Sequence, residues 1–317
     1  MRRWIWVAIV LVIGIAAILM LGDVRELGAR LGAFGWWSFG VALALALANY
    51  AIRFLRWQLY LTHQGVSVPL GSSAIVFGAG LSLSITPAKL GELVKSYLLR
   101  ELHDIPPTQT APIVVAERVT DLIALLLVAV AGVAFYGVQT TLVLGAGSVI
   151  FLGLVLLAWP RPTRALIDLV TGPKLTRRFR APLQEVYTGL ASLCRPKLLV
   201  LATLIAIPAW GAECIGFGLI CNAFPGTEVS MGLATVIYAA TSIAGALSFL
   251  PGGLGVTEGA MTLLLVKSAS RIDQHTALDA TLLTRLATLW FAVLLGLMLL
   301  ATARGRIARR RAQAPPA

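Results

Sequence analysis

Eleven ionisable residues fall within the long apolar stretches of this chain, and they are the groups most able to do chemistry. Arg53, Arg56, Lys89, Lys95, Arg118 and Arg285 are cations; Glu92, Glu117, Asp121, Glu213 and Glu258 are acids. A charge at a bilayer centre costs roughly 2.5–3.5 kcal/mol on the gentlest scale, so near-balance predicts pairing inside one polar core. Spacing supports it. In AERVTD, Glu117 and Asp121 lie four apart with Arg118 three before Asp121, and in KLGELVK a lysine stands three residues to each side of Glu92. In RFLRWQLY, the residues Arg53, Arg56, Trp57 and Tyr60 share one helix face. Two guanidiniums beside two amphipathic aromatics suit a phosphate and a neighbouring glycerol or sugar. The competing reading for Arg53, Arg56, Lys89 and Lys95 is that they snorkel to the interface. For Glu117, Arg118 and Asp121 it is helix-packing glue.

A second chemical feature is the stretch SFLPGGLGVTEGA, Ser248 to Ala260, between apolar arms. Pro251 cannot donate a helical bond, and Gly252, Gly253 and Gly255 let the chain turn where a β-carbon would clash. A helix resuming near Val256 presents free N–H groups that hold a phosphate, or a carboxylate in its first turn. Glu258 occupies that turn, and pairing with Arg285 is the expected arrangement. Glu213, in IPAWGAECIGF, lies mid-span, either as part of the site or as a protonated buried carboxyl. His63, His103 and His275 are scattered, and no metal-type spacing or Walker loop occurs. No cofactor and no metal are expected.

Broken helix and buried charge at this depth require a membrane protein with a polar interior. Composition agrees: 58% of 317 residues are hydrophobic and 13% charged, with several runs of spanning length. The runs do not alternate as barrel strands would, so the class is all-α and polytopic. No polar stretch is long enough for a soluble domain. The first apolar run is long for a signal peptide and reads as a retained helix. Cys194, Cys214 and Cys221 give no even pairing; the last two share a helix face and read as packing residues. The net charge of +12 concentrates between Arg161 and Lys197 and in five arginines from Arg304 to Arg311. Beside apolar spans this reads as the positive-inside signal rather than nucleic-acid binding. Both segments and both termini are therefore placed in the cytoplasm, in a bacterial inner membrane.

Six stretches (4–22, 36–61, 108–136, 139–159, 197–222 and 278–303) are full spans, while 72–104 and 230–268 are broken in the middle. Crossing parity makes 72–104 start and end inside and 230–268 start and end outside. Each broken region is read as a re-entrant hairpin, giving eight helical membrane segments. Then 36–136 and 197–303 share the order span, hairpin, span in opposite orientations, an inverted repeat of the transporter kind. Residues 174–193 read as an amphipathic linker helix at the cytoplasmic surface, and 304–317 as a basic tail. The whole chain is read as one integral membrane domain.

At these residues the chain resembles a known family: the flippase-like membrane domain at the N-terminus of lysylphosphatidylglycerol synthase, found also as stand-alone bacterial and archaeal proteins. The matching stretches are RFLRWQLYLTHQGVSVP, LSLSITPAKLGELVKSYLL, VVAERVTDLIALL, FLPGGLGVTEGAM and TRLATLW, in the family's order. Ser84 stands where the family pattern leads one to expect asparagine, and Lys95 where arginine is commoner. Lysine keeps the charge but loses the bidentate fork. The resemblance stops at the membrane domain, so aminoacyl transfer is not carried over. It implies a translocase for an anionic phospholipid or glycolipid, with Arg53, Lys89, Lys95 and Arg285 meeting phosphate. Glu92, Glu117, Asp121 and Glu258 would pair with them or carry a proton. A membrane-embedded lipid-phosphate phosphatase, with Glu92 and Arg285 at its centre, and a scaffold for envelope-lipid machinery are the alternatives. The partner expected is a membrane lipid with a phosphate or sugar headgroup, with no nucleic acid.

Overall fold

In lipid the backbone must satisfy its own hydrogen bonds, and the chain does so with helices. The computed structural model describes residues 24–136 and 180–313. The expected spans 4–22 and 139–159 and most of the basic loop after Arg161 lie outside the described residues. The chain runs through α1 (Val24–Ala33), α2 (Trp36–His63), α3 (Leu70–Leu81), a 3-10 turn (Pro87–Leu93), α4 (Val94–His103) and α5 (Pro107–Tyr136). After the undescribed segment come α6 (Arg180–Leu193), α7 (Pro196–Cys221), α8 (Met231–Leu247), a 3-10 turn (Pro251–Gly253) and α9 (Val256–Ser268). The chain then ends on α10 (Gln274–Arg285), a π-helical turn (Leu286–Trp290) and α11 (Phe291–Gln313). No strand occurs among the described residues. Helices α2, α7 and the 40-residue rod of α10 and α11 are long and apolar enough to cross a membrane.

Two sets of elements follow the same order: long helix, short helix, 3-10 break, short helix, long helix. Helices α2 and α7 pack along their length and run antiparallel. Gly35 N donates to Ala223 O at 3.0 Å, and Asn49 Nδ2 donates to Ala209 O at 2.8 Å. As numbers climb on one helix they fall on its partner. The short arms pack crosswise: α3 lies on α11, and α8 lies on α5. The two 3-10 breaks touch each other between them. Around each break the sequence repeats a motif, Leu83-Ser-Ile-Thr-Pro-Ala-Lys-Leu-Gly91 and Leu247-Ser-Phe-Leu-Pro-Gly-Gly-Leu-Gly255.

Close backbone approach holds the crossed arms. A β-carbon on Gly296 of α11 would meet the backbone at Leu81 and Ser82, where α3 ends. Gly296→Ala is accordingly expected to destabilise the protein by about 1–3 kcal/mol, the usual range for overpacking. Thermal unfolding in detergent at matched protein concentration measures it, and an unchanged midpoint would contradict the packing.

The ends of the helices meet in two groups. Gln109 Nε2 donates to Gln64 O at 2.9 Å, and a β-carbon on Gly189 would touch Pro112 and Gln64, so α6 lies at this end. Arg310 donates to Glu101 O at 2.8 Å and pairs with Asp104, and Arg311 Nη2 pairs with Glu101 at 2.5 Å. The arginine tail is thereby fastened to the end of α4. In the other group, Arg271 pairs with Glu228 at 3.0 Å, and Arg30 of α1 pairs with Asp279 at 2.7 Å.

Candidate functional site

Where the two breaks meet, the structure encloses a cavity of about 270 Å³. Its polar lining comes from Tyr50 and Arg53 of α2, Lys89 of the first break, Arg118 and Asp121 of α5, Trp210 and Glu213 of α7, Tyr238 of α8 and Arg285 of α10. Gly252 and Gly253 of the second break close one side. The lone helix-interior polar groups of six elements thus converge on one space, the pattern expected of a binding site.

Arg118 and Asp121 join the cavity wall to a charge network behind it, in which Arg56, Glu92, Lys95 and Glu117 are set back from the space. Glu92 is 1% exposed and accepts from Lys95 Nζ at 3.1 Å and from Arg118 Nη2 at 3.4 Å. Lys95 Nζ also donates to Glu117 Oε2 at 2.5 Å and stands over the Trp57 ring at 4.8 Å. Asp121 accepts from Arg56 Nη2 at 2.7 Å and Trp210 Nε1 at 3.1 Å, and pairs with Arg118 at 3.1 Å. Arg56 further donates to Thr120 Oγ1 at 3.0 Å. With Glu213 of α7 left aside, five cations (Arg53, Arg56, Lys89, Lys95, Arg118) face three carboxylates (Glu92, Glu117, Asp121), an excess of two positive charges that an ionised Glu213 would reduce to one. A buried charge without a counter-charge is costly, so the excess predicts an anion from outside.

Two cations carry that excess into the cavity. Arg53 is 4% exposed, and its Nη2 comes no nearer to Glu92 than 3.7 Å. Its Nε and Nη2 are buried with no hydrogen-bond partner among the described residues. Lys89 has no carboxylate within ion-pair distance among the described residues; its ammonium stands 5.6 Å over the Trp210 ring. Lys89 also takes a left-handed backbone, φ +55°, the conformation that Gly253 holds at the matching place in the second break, φ +66°. An L side chain in that region is strained by roughly 1–2 kcal/mol.

At the second break Arg285 and Glu258 stand together. Arg285 Nε donates to Glu258 Oε1 at 2.6 Å, and Arg285 Nη2 to Gly252 O at 2.6 Å. Glu258 Oε2 in turn accepts from Gly255 N at 2.7 Å. The N-terminal end of α9 is thus filled by the chain's own carboxylate, because a residue three positions into a helix reaches back to the free N–H. Glu258 does not line the cavity, so this end holds no phosphate while the bond is formed. Arg285 sits where α10 passes into the π turn, a distortion often found at functional sites. The first break carries the same type of pair, Arg118 to Glu92, from the long helix that follows it.

Of the residues singled out by sequence, the cavity brings together Arg53, Lys89, Arg118, Asp121, Glu213, Gly252, Gly253 and Arg285. Arg56, Glu92, Lys95, Glu117 and Glu258 are set back from it. Lys95 in particular is enclosed by two carboxylates and two rings instead of facing the space, so it is not placed to meet a headgroup. Tyr50, Trp210 and Tyr238 were not singled out. Trp210 stands three residues before Glu213 in IPAWGAE, and that helical spacing was the available signal. Cys214 and Cys221 are buried free thiols.

A family described as "Lysylphosphatidylglycerol synthase TM region" matches residues 5–296. The chain belongs to that family. Within this membrane-region family, two similar relatives are archaeal, both from Methanothermobacter thermautotrophicus and both described as "UPF0104 membrane protein". One is 25% identical over 283 residues, covering 81% of this chain and 82% of the relative. The other is 24% identical over 314 residues, covering 93% and 92%. The family match, together with the long apolar helices, makes this a multi-pass membrane protein of the lysylphosphatidylglycerol synthase membrane-region type.

Proposed function

We propose that the protein moves a lipid with a phosphate-bearing headgroup between the leaflets of the bacterial inner membrane. One observation carries this reading: the buried Arg53 guanidinium, with unpartnered N–H groups, lines the same cavity as Lys89, which has no carboxylate within ion-pair distance among the described residues. Bound phosphate would accept from both, replacing the hydration that the headgroup leaves behind. The acyl chains would stay in lipid. Arg118 and Arg285, already paired to acids at the cavity edge, would hold its walls in register.

The architecture proposed for this task is two inverted halves, 36–136 and 197–303, each with a re-entrant hairpin, in a single membrane domain. Support comes from the shared element order, the antiparallel α2 and α7, the crossed arms and the motif common to both breaks. The meeting of Gln64 with Gln109, and of Glu101 with the arginine tail, favours both ends of the first hairpin on the cytoplasmic face. Single cysteines in a background lacking Cys194, Cys214 and Cys221 check this. His63→Cys and Ile105→Cys should label from one side and Glu228→Cys from the other. Labelling of positions 63 and 105 from opposite sides would end the inverted-repeat reading.

The function itself is tested in proteoliposomes with a panel of labelled lipids whose leaflet is read by an impermeant quencher. Protein-dependent exchange of phosphate-bearing lipids, faster than that of lipids without phosphate, is the expected result. Exchange that ignores the headgroup contradicts the proposal. Phosphate release from a polyprenyl diphosphate would instead favour a hydrolase.

A further inference from the structure

Glu213 differs from the other buried acids. Among the described residues, Glu92, Glu117, Asp121, Glu258 and Asp279 each have a cation within ion-pair distance. Glu213 has none, although it is 7% exposed and lines the cavity. Its carboxylate accepts from the Tyr238 hydroxyl, Oη to Oε2, at 2.6 Å.

The charged and titratable groups facing it come from every element around the cavity. They are Tyr50 and Arg53 of α2, Lys89 of the first break, Arg118 and Asp121 of α5, Tyr238 of α8 and Arg285 of α10. Most are committed elsewhere. Asp121 is held by Arg56, Arg118 and Trp210, Arg118 by Glu92 and Asp121, and Arg285 by Glu258 and Gly252. The cations left to balance an ionised Glu213 are Arg53 and Lys89. These are the two that the proposed headgroup would use.

A headgroup phosphate and a Glu213 carboxylate would therefore compete for the same two cations in about 270 Å³. Like charges in so small a low-dielectric space repel strongly, and a proton on one of them removes the conflict. We infer that Glu213 is a proton-binding site, and that the carrier takes up one proton with each phosphate-bearing headgroup. In the empty cavity Glu213 serves as the internal anion for Arg53 and Lys89. When phosphate arrives it takes those cations, and Glu213 takes a proton and keeps Tyr238 as its polar neighbour. A proton gradient across the membrane then drives the lipid, because neither is held well without the other. This rests on the anion reading above and adds its energy source.

Linkage fixes the sign. If the anion strengthens proton binding, the proton strengthens anion binding by the same factor. Affinity is therefore highest at low pH and falls as pH rises through the range where the empty site loses its proton. The limit is about tenfold per pH unit for one proton per anion.

The experiment is calorimetric titration of the full-length protein in detergent with short-chain phosphatidylglycerol, in buffers of differing ionisation enthalpy, from mildly acidic to mildly alkaline pH. A phosphodiester keeps a single charge across that range, so the probe brings no titration of its own. The chain-free diglycerol phosphodiester is run alongside. Expected are uptake of close to one proton per lipid on the alkaline side and weaker binding of the chain-free probe with the same proton count. Glu213→Gln should raise affinity at alkaline pH to the level native protein shows only in acid, with no proton uptake. Tyr238→Phe is a second variant, removing a bond to the carboxylate form, and should move the fall in affinity to higher pH. Lipid binding with no proton uptake, or uptake unchanged in Glu213→Gln, overturns the inference and leaves the anion reading standing. A native protein that binds no phosphodiester, or binds it as well after Arg53→Gln, overturns both.

Discussion

Arg53→Gln is expected to lower phosphate-dependent lipid exchange about ten- to hundredfold while leaving the protein folded. The factor corresponds to the roughly 1.5–3 kcal/mol that a hydrogen bond to a charged group contributes. Folding should survive because Arg53 is the weakest partner of the acid it faces. Glu92 lies 3.7 Å from Arg53 but keeps Lys95 at 3.1 Å and Arg118 at 3.4 Å. Removing the guanidinium also strands no acceptor, since its Nε and Nη2 have no partner. Leaflet-resolved exchange in proteoliposomes, normalised to folded protein, is the measurement. Native rates in a well-folded Arg53→Gln protein would show that the cavity cations are not used by the lipid.

The second large effect is on stability. Asp121 is buried on α5 and joins Arg56 of α2 to Arg118 and to Trp210 of α7. Asp121→Asn keeps an acceptor oxygen but removes the carboxylate charge paired with the fully buried Arg56 guanidinium. Stranding one member of a buried pair costs about 3–5 kcal/mol, whereas replacing both members with apolar groups is often nearly neutral. The single variant should therefore unfold at a much lower temperature. Arg56→Met combined with Asp121→Leu should recover most of the loss, with Arg118 still paired to Glu92. Two single variants whose losses simply add would show that the pair is not coupled and that the network has another centre.

Much of this organisation is legible in the sequence, and what is not has a specific cause. Apolar length, proline and glycine place α2, α5, α7 and both breaks within a few residues, whereas the expected 278–303 span is the longer rod Gln274–Gln313. The boundaries 72–104 and 230–268 correspond to α3 through α4 and α8 through α9, with Pro87 and Pro251 each opening the 3-10 turn at the break. The pairing of Arg285 with Glu258 was legible because both lie in otherwise apolar runs. Which lysine faces the cavity was not. Lys89 and Lys95 flank Glu92 at equal spacing, and in a regular helix both would stand beside it. The chain around Lys89 is not a regular helix: its φ of +55° takes its ammonium over Trp210, while Lys95 turns back to Glu92 and Glu117. Periodicity says nothing where the dihedral leaves the helical region. The capping of α9 by Glu258 was similarly ambiguous, since a free helix end accepts a ligand anion or a side-chain anion equally well.

The two breaks share five of nine residues, and among the four differences one carries a lysine where the other carries a glycine, Lys89 against Gly253. Both positions demand a left-handed backbone. A sequence selected for folding alone would place glycine at both, as local preference and global fold would then agree. At Lys89 they disagree in the dihedral, and its ammonium stands over the Trp210 ring with no carboxylate within ion-pair distance among the described residues. Asp104 and Phe249 also take a left-handed backbone, and what sets Lys89 apart is that its strained position puts a cation at the cavity. The two breaks therefore line the cavity differently, the first with a cation, Lys89, and the second with the bare backbone of Gly252 and Gly253.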